Sequence, residues 1–261
     1  MISSRKGFTG PCLLFILYFF LYLPLTLLVI YSFNSSPIPA PLNSFTLHWY
    51  KELFKNTEVW HSFFNSMIVA ISSSAICLIF SLLLIYYKTI GGRIKRIIPL
   101  FYGNLMIPDT VLAIALISFF SIVKIPLGLT AIIIGHSVLG LGLSIPLIYL
   151  RFKDLNISLL EASAALGASS LTTFKRIVLP FMMPALLAAG LMIFILSFDD
   201  FILSYFCAGA SAQTLSLFLV SSLRFGISPI INALTAFVIV FTTILVSLLF
   251  ILKRKEEIET C

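Results

Sequence analysis

The chain has 261 residues, 60% of them hydrophobic and only 10% charged, with a formal net charge of +7. A water-soluble domain of that length has too little interior to hide so much apolar surface, so the composition excludes a soluble globule and makes the bilayer the solvent for most of the chain. The basic excess does not point to nucleic acid, because the Lys and Arg residues lie in short loops between apolar runs, where they orient a membrane protein.

A bilayer core takes about 20 apolar helical residues, and six spans of that kind are predicted. The first runs roughly from Pro11 to Phe33 behind Arg5 and Lys6. Its apolar run exceeds the length of a signal core, so a retained helix is expected, kinked at Pro24. Asn34 to His61 is the longest polar connection. Ser35 to Pro41 reads as extended or turn-like, and Phe45 to Phe54, with Trp49 and Tyr50, reads either as an interfacial segment or as a plain loop. The second span covers roughly Phe63 to Tyr87, and the loop Lys88 to Arg96 carries four basic residues and no acid. The third, roughly Ile97 to Val123, has Pro108-Asp109 in its middle. A tight turn, Lys124 to Gly128, leads to the fourth, roughly Leu129 to Leu150, which holds Gly135, His136, Gly140, Gly142 and Pro146.

The stretch Glu161 to Pro180 is too polar for membrane core. Glu161, Ala162, Ala164, Ala165 and Leu166 are strong helix formers and Gly167 is a natural C-terminal stop. A short amphipathic piece follows, with Phe174, Ile177, Val178 and Leu179 on its apolar side beside Lys175 and Arg176. Pro180 and Pro184 then restart the chain as the fifth span, roughly Phe181 to Phe201, which contains Asp199 and Asp200. A partly amphipathic piece, Gln213 to Gly226, precedes the sixth span, roughly Ile230 to Leu252, and a charged tail closes the chain. The expected division is residues 1–62 as first helix and outer connection, 63–252 as a helical core with a protruding loop at 158–180, and 253–261 as tail.

Orientation follows from the basic residues. Arg5, Lys6, Lys88, Arg93, Lys95, Arg96, Arg151, Lys153, Lys175, Arg176, Lys253, Arg254 and Lys255 fall on one side of this topology, and Lys51, Lys55, Lys124 and Arg224 on the other. The rich side is expected to be cytoplasmic, with both termini and the Glu161 loop on it. A short helix, a glycine turn and a basic amphipathic piece held there make a rigid knob that a cytoplasmic partner can grip.

The pattern Glu161-Ala162-Ser163, Gly167, Ile177, Leu179-Pro180 resembles the EAA loop of permease subunits of bacterial ATP-binding-cassette importers, with Ser163 at the usual second Ala. Asn65-Ser66 resembles a pair found near the start of a span in the same permeases, and six spans with the loop between the fourth and fifth match their topology. The resemblance implies an all-α integral membrane protein of the type I importer permease (MetI-like) fold in the inner membrane. It implies that Glu161, Ala162, Gly167, Ile177, Leu179 and Pro180 couple to the ATPase. It also implies partners: an ATP-binding subunit dimer, a second and different permease subunit, and a periplasmic or lipoprotein substrate-binding protein.

Asp109, Asp199 and Asp200 are the ionised residues well inside predicted spans. Each costs about 2.5–3.5 kcal/mol on insertion scales, so such residues usually face a water-filled cavity or a partner. Counted along straight helices, Asp109 lies roughly 18 Å and Asp199 roughly 27 Å from the inner ends of their spans. Acids at those depths would attract a cation. The structural alternatives stand beside that reading: Asp109 capping a broken helix after Pro108, and Asp199 and Asp200 marking the wet end of the fifth span or pairing with a basic residue of another subunit. Ser197-Phe198-Asp199-Asp200-Phe201 with Ser204-Tyr205-Phe206, Ile107-Pro108-Asp109 with Ala113-Ile114, and Gly226 to Leu234 resemble segments of spermidine/putrescine importer permeases. That resemblance implies polyamine transport, with the three acids on the substrate path.

His136, among glycines, is either a proton relay in the pore or a packed neutral side chain donating to a backbone carbonyl; the second is expected. Cys12, Cys77, Cys207 and Cys261 form no CxxC or metal-like cluster. No GxxxxGK[ST] loop is present, so ATP would be hydrolysed by a partner chain, and the chain is not expected to be an enzyme or to hold a cofactor or metal. The alternatives are a permease for another small solute, an ion-coupled secondary transporter using the same acids, and a purely structural membrane protein.

Overall fold

The computed structural model describes residues 9–36, 41–224 and 229–259. Arg5, Lys6, residues 37–40 and the stretch Gly226 to Ser228 singled out above lie outside them. The regular elements among the described residues are all helices, beside one isolated bridge, Asn34 to Phe45. The chain forms two compact units, residues 58–218 and residues 1–57 with 219–261.

In the second of these, α1 (Thr9–Tyr31) and α2 (His48–Lys55) both pack against α12 (Pro229–Glu259). Every described side chain of α1 from Leu13 to Leu23 is exposed, as an apolar helix bathed in lipid requires. The Trp49–Tyr50 segment forms a short amphipathic helix. Trp49 Nε1 donates to the carbonyl of Asn34 at 2.8 Å, Tyr50 and Ser32 share a hydrogen bond at 2.8 Å, and Phe33 stacks on Phe45. The backbone of α12 stays helical through the charged tail to Glu259.

Residues 58–218 hold α3 (Thr57–Thr89), α4 (Ile98–Met106), α5 (Asp109–Val123), α6 (Leu129–Lys153), α7 (Ile157–Ala165), α8 (Ser170–Thr173), α9 (Leu179–Asp199), α10 (Ile202–Cys207) and the start of α11 (Leu215–Arg224). The centre is α6: 61% of its apolar window is buried, against 39% for α3 and 28% for the α8–α9 helix. Its small residues explain this. A Cβ on Gly140 would stand 2.8 Å from Cys77 Sγ and 2.9 Å from Ile193 Cγ2, and one on Gly142 would stand 2.6 Å from Asn104 Nδ2. Without side chains at those positions, α3, α9 and α4 approach the α6 backbone closely, which is how helices associate where lipid removes the hydrophobic drive. Hydrogen bonds complete the contacts: Cys77 Sγ to the Ser137 carbonyl, Ser81 Oγ to Ser144 Oγ, and Asn104 Nδ2 to the Val138 carbonyl at 2.8 Å.

Two expectations change. The predicted third span is broken: α4 and α5 meet at 111° across Ile107-Pro108. Pro108 holds φ at −58° and its ψ of 138° is extended, which ends one helix and starts the next. The straight-helix depth for Asp109 therefore does not apply. Conversely, the proline pair at 180 and 184 does not restart the chain. One helix runs continuously from Ser170 to Asp199, widened to a π turn at Phe174–Val178, where the Leu179 N–H reaches back to the Phe174 carbonyl. That bulge absorbs the donor that Pro180 lacks. Four helices among the described residues are long and apolar enough to cross a membrane, and a fifth crossing follows if the bent pair is one span.

Candidate functional site

Two clusters concentrate the chemistry. The first is the loop from α7 to α8. The helix opens at Ile157, four residues before the sequence signal at Glu161, because Asn156 caps it: its Oδ1 accepts from the Ser158 N–H at 3.0 Å. It closes in a two-bond turn. The Ala168 N–H donates to the Ser163 carbonyl at 3.1 Å and the Gly167 N–H to the Ala164 carbonyl at 2.9 Å, with Gly167 at φ +76°. This is the Schellman stop that a glycine past the helix end permits. Ser169 then caps α8.

Glu161, Ala162, Leu166 and Gly167 are exposed, Leu166 at 88%, so the turn presents its residues outward. Ile177 and Leu179 are half-buried and Pro180 exposed on the long helix that follows, while Val178 is buried and Phe174 packs edge-on against Tyr86. Ser163 is buried, and its hydroxyl meets that of Thr173 at 2.7 Å. That bond ties α7 to the helix it precedes. A serine at a small-residue position is more than a filler here, and its spacing of ten from Thr173 carries no periodic signal.

The second cluster lies where α9 ends. Asp200 has extended backbone, ψ 126°, and α10 begins two residues later. Asp200 Oδ2 accepts from the Ser204 N–H at 2.9 Å and stands 3.2 Å from His136 Nε2. His136 Nδ1 lies 2.6 Å from Ser197 Oγ, which accepts from Ser73 Oγ at 3.2 Å, and Ser216 Oγ donates to the Asp200 carbonyl at 2.6 Å. The network joins α3, α6, α9 and α10. His136 is packed as expected, at 2% exposure, but its partners are Ser197 and Asp200 and not a backbone carbonyl. Ser197 reaches the ring from the last turn of α9 and Asp200 from the cap just past its end.

Asp199 and Asp109 are exposed, and their carboxylates make no hydrogen bond or ion pair with any described residue. Asp109 opens α5 without a side-chain cap bond; the Val111 and Leu112 N–H groups both donate to the Pro108 carbonyl. The three acids are therefore unlike: two open to their surroundings, and one held by a buried histidine. Sequence reading overlooked the roles of Ser73, Ser163, Thr173 and Asn104. Only Ser197 carried a legible signal, as part of the Ser197-Phe198-Asp199-Asp200-Phe201 resemblance.

The profile of the family described as "Binding-protein-dependent transport system inner membrane component" matches residues 85–255. The chain is 30% identical over 255 residues to the "Spermidine/putrescine transport system permease protein PotC" of Haemophilus influenzae, covering 97% of this chain and 99% of that one. It is 33% identical over 232 residues to the protein of the same name in Escherichia coli K12, covering 88% of each. Its fold is similar to a chain of a bacterial ABC transporter that imports the acidic polysaccharide alginate, with a TM-score of 0.74 at 17% identity, over 98% of this chain and 99% of that one.

Proposed function

The chain belongs to the family of binding-protein-dependent transport system inner membrane components, and we propose that within it the chain forms half of the translocation pore of an ATP-driven importer for polyamines. In this reading six helices cross the inner membrane with both termini in the cytoplasm. The crossings are α1, α3, the bent α4–α5 pair, α6, the α8–α9 helix and α12, and the basic residues of the loops favour that orientation.

The α7–α8 knob is the grip for an ATP-binding subunit dimer. A binding protein delivers substrate from outside when ATP closes that dimer, and a second, related permease supplies the other half of the pore. The knob suits the task physically. It is short, it is stopped by two hydrogen bonds, and the Ser163–Thr173 bond attaches it to the helix that continues to Asp199, so a push on Glu161, Ala162 or Gly167 is passed to α9. Ile177, Leu179 and Pro180 sit where that push enters the span.

What carries the substrate reading is similarity over nearly the whole chain to two spermidine/putrescine permeases, combined with acids at the helix breaks. Polyamines are flexible polycations. Asp109 at the α4–α5 break and Asp199 and Asp200 at the α9–α10 break offer them carboxylates without a lysine or arginine in α4, α5, α9 or α10. The test is uptake of radiolabelled spermidine and putrescine by bacteria that lack their own polyamine importers and carry this chain with the ATPase, second permease and binding protein of its own genome. ATP-dependent uptake, reduced in Asp199→Asn or Asp200→Asn at normal protein levels, is expected. A complex that assembles and hydrolyses ATP but takes up neither polyamine would refute the substrate, and the same cells then serve to screen other small solutes.

A further inference from the structure

We propose that His136 is a positioning residue for Asp200: clamped at both ring nitrogens, it holds one carboxylate oxygen so that the other is directed to the substrate cation. This rests on the reading that Asp200 lines the substrate path.

Asp200 stands at a chain break, after the last turn of α9 and before the first of α10, where helical packing alone does not set the direction of its side chain. Two donors set it. The Ser204 N–H and His136 Nε2 both reach Oδ2, at 2.9 and 3.2 Å, and Oδ1 accepts from no described residue. A carboxylate with one oxygen held by N–H donors and the other bare is a directed acceptor, and a charge-assisted bond to an ammonium is the strong kind. The Asp200 side chain is 8% exposed, so its remaining access is narrow and its orientation decides what can reach it.

The imidazole is itself fixed. A carboxylate accepts, so Nε2 carries the proton of that bond; Nδ1 meets the Ser197 hydroxyl at 2.6 Å, and the Ser73 hydroxyl stands 3.2 Å from both Ser197 Oγ and the Ala70 carbonyl. The contacts run unbroken from α3 through α9 and α6 to Asp200. Ser204 Oγ, 3.4 Å from Nε2, adds a longer contact on the same side. At 2% exposure the ring does not meet substrate, so it acts through Asp200. It ties the carboxylate to α6, the most buried of the long helices in its unit, in the way an outer-shell partner orients a first-shell ligand.

The experiment uses the whole importer in proteoliposomes, with its ATPase, second permease and spermidine-loaded binding protein. Uptake is followed against the concentration of the loaded binding protein, alongside ATP hydrolysis, for His136→Leu, His136→Gln, Asp200→Asn and the double variant His136→Leu/Asp200→Asn. In His136→Leu the maximal uptake should fall roughly tenfold, the scale of one lost hydrogen bond to a charged group. The KM for the loaded binding protein and its stimulation of ATP hydrolysis should hold, so more ATP is used per spermidine. His136→Gln, which keeps a donor and an acceptor, should recover most of the uptake, and the double variant should be no worse than Asp200→Asn alone.

A merely structural role would instead raise KM, depress ATP hydrolysis and add to the Asp200→Asn loss, and any of these overturns the proposal. Normal uptake in Asp200→Asn overturns both the path reading and the positioning role. Impaired Asp200→Asn with normal His136→Leu overturns the positioning role alone. If His136→Leu does not assemble, Ser197→Ala takes its place, since it frees Nδ1 and keeps the ring. A smaller loss that disappears in the Asp200→Asn background is then expected, and an additive loss refutes the role.

Discussion

Replacing Gly167 isolates the turn that stops α7. The position is sterically open: a Cβ there would meet nothing within 4 Å, so no clash confuses the result. The whole cost of a side chain is conformational, because φ is +76°. For Gly167→Ala that cost is about 1–2 kcal/mol, enough to thin the population of the closed turn by roughly tenfold without abolishing it. Gly167→Pro is more severe. Its ring fixes φ near −65°, which the turn cannot accept, and it removes the N–H that donates to Ala164. With the Ala168 bond to Ser163 lost as well, two hydrogen bonds of about 1 kcal/mol each are added to the strain, and α7 leaves its place. Gly167→Trp combines the strained φ with a large ring on the face the knob presents. The assay is ATP-dependent uptake measured beside ATP hydrolysis in proteoliposomes. A graded loss of substrate moved per ATP is expected, mild in Gly167→Ala and near complete in Gly167→Pro, with the protein still inserted. Parental uptake by Gly167→Pro would refute the argument that this turn transmits hydrolysis.

Ser163→Ala or Thr173→Val alone should destabilise the loop by about 1–3 kcal/mol, since each leaves a buried hydroxyl without its partner. Ser163→Ala with Thr173→Val should be nearly neutral, and thermal unfolding of the four purified forms measures the coupling. Gly142→Ala should cost about 1–3 kcal/mol by overpacking, because the new Cβ displaces Asn104 from the Val138 carbonyl. Asn104→Ala in the same chain should recover part of the lost melting temperature, and no recovery would show that the clash is not with Asn104.

Much of the chain was legible because it depends on neighbours along the sequence. Apolar length marked the helices that became α1, α3, α6 and α9, and Gly167 announced its turn, since only a residue without a Cβ takes that φ at no cost. The prolines were harder. Pro108 stood in the middle of a predicted span and Pro180 at the start of one. One turned the chain through 111° and the other was absorbed in a π turn. Proline removes a donor in both cases, but whether the backbone breaks or bulges depends on what the flanking helices pack against.

The site divides in the same way. Asp109, Asp199 and Asp200 stood out because charge is costly in lipid wherever it is placed. That Asp200 alone is tied to His136, 64 residues earlier, could not be read from composition or spacing. The amino acids by themselves determined that the chain is helical and lives in a bilayer, because burial of apolar surface and satisfaction of the backbone are local demands. Which acid is held and which two stand open was decided only in the tertiary structure. Gly140 and Gly142 let α3, α9 and α4 close onto α6, and that approach brought the imidazole within reach of a carboxylate at the end of another helix.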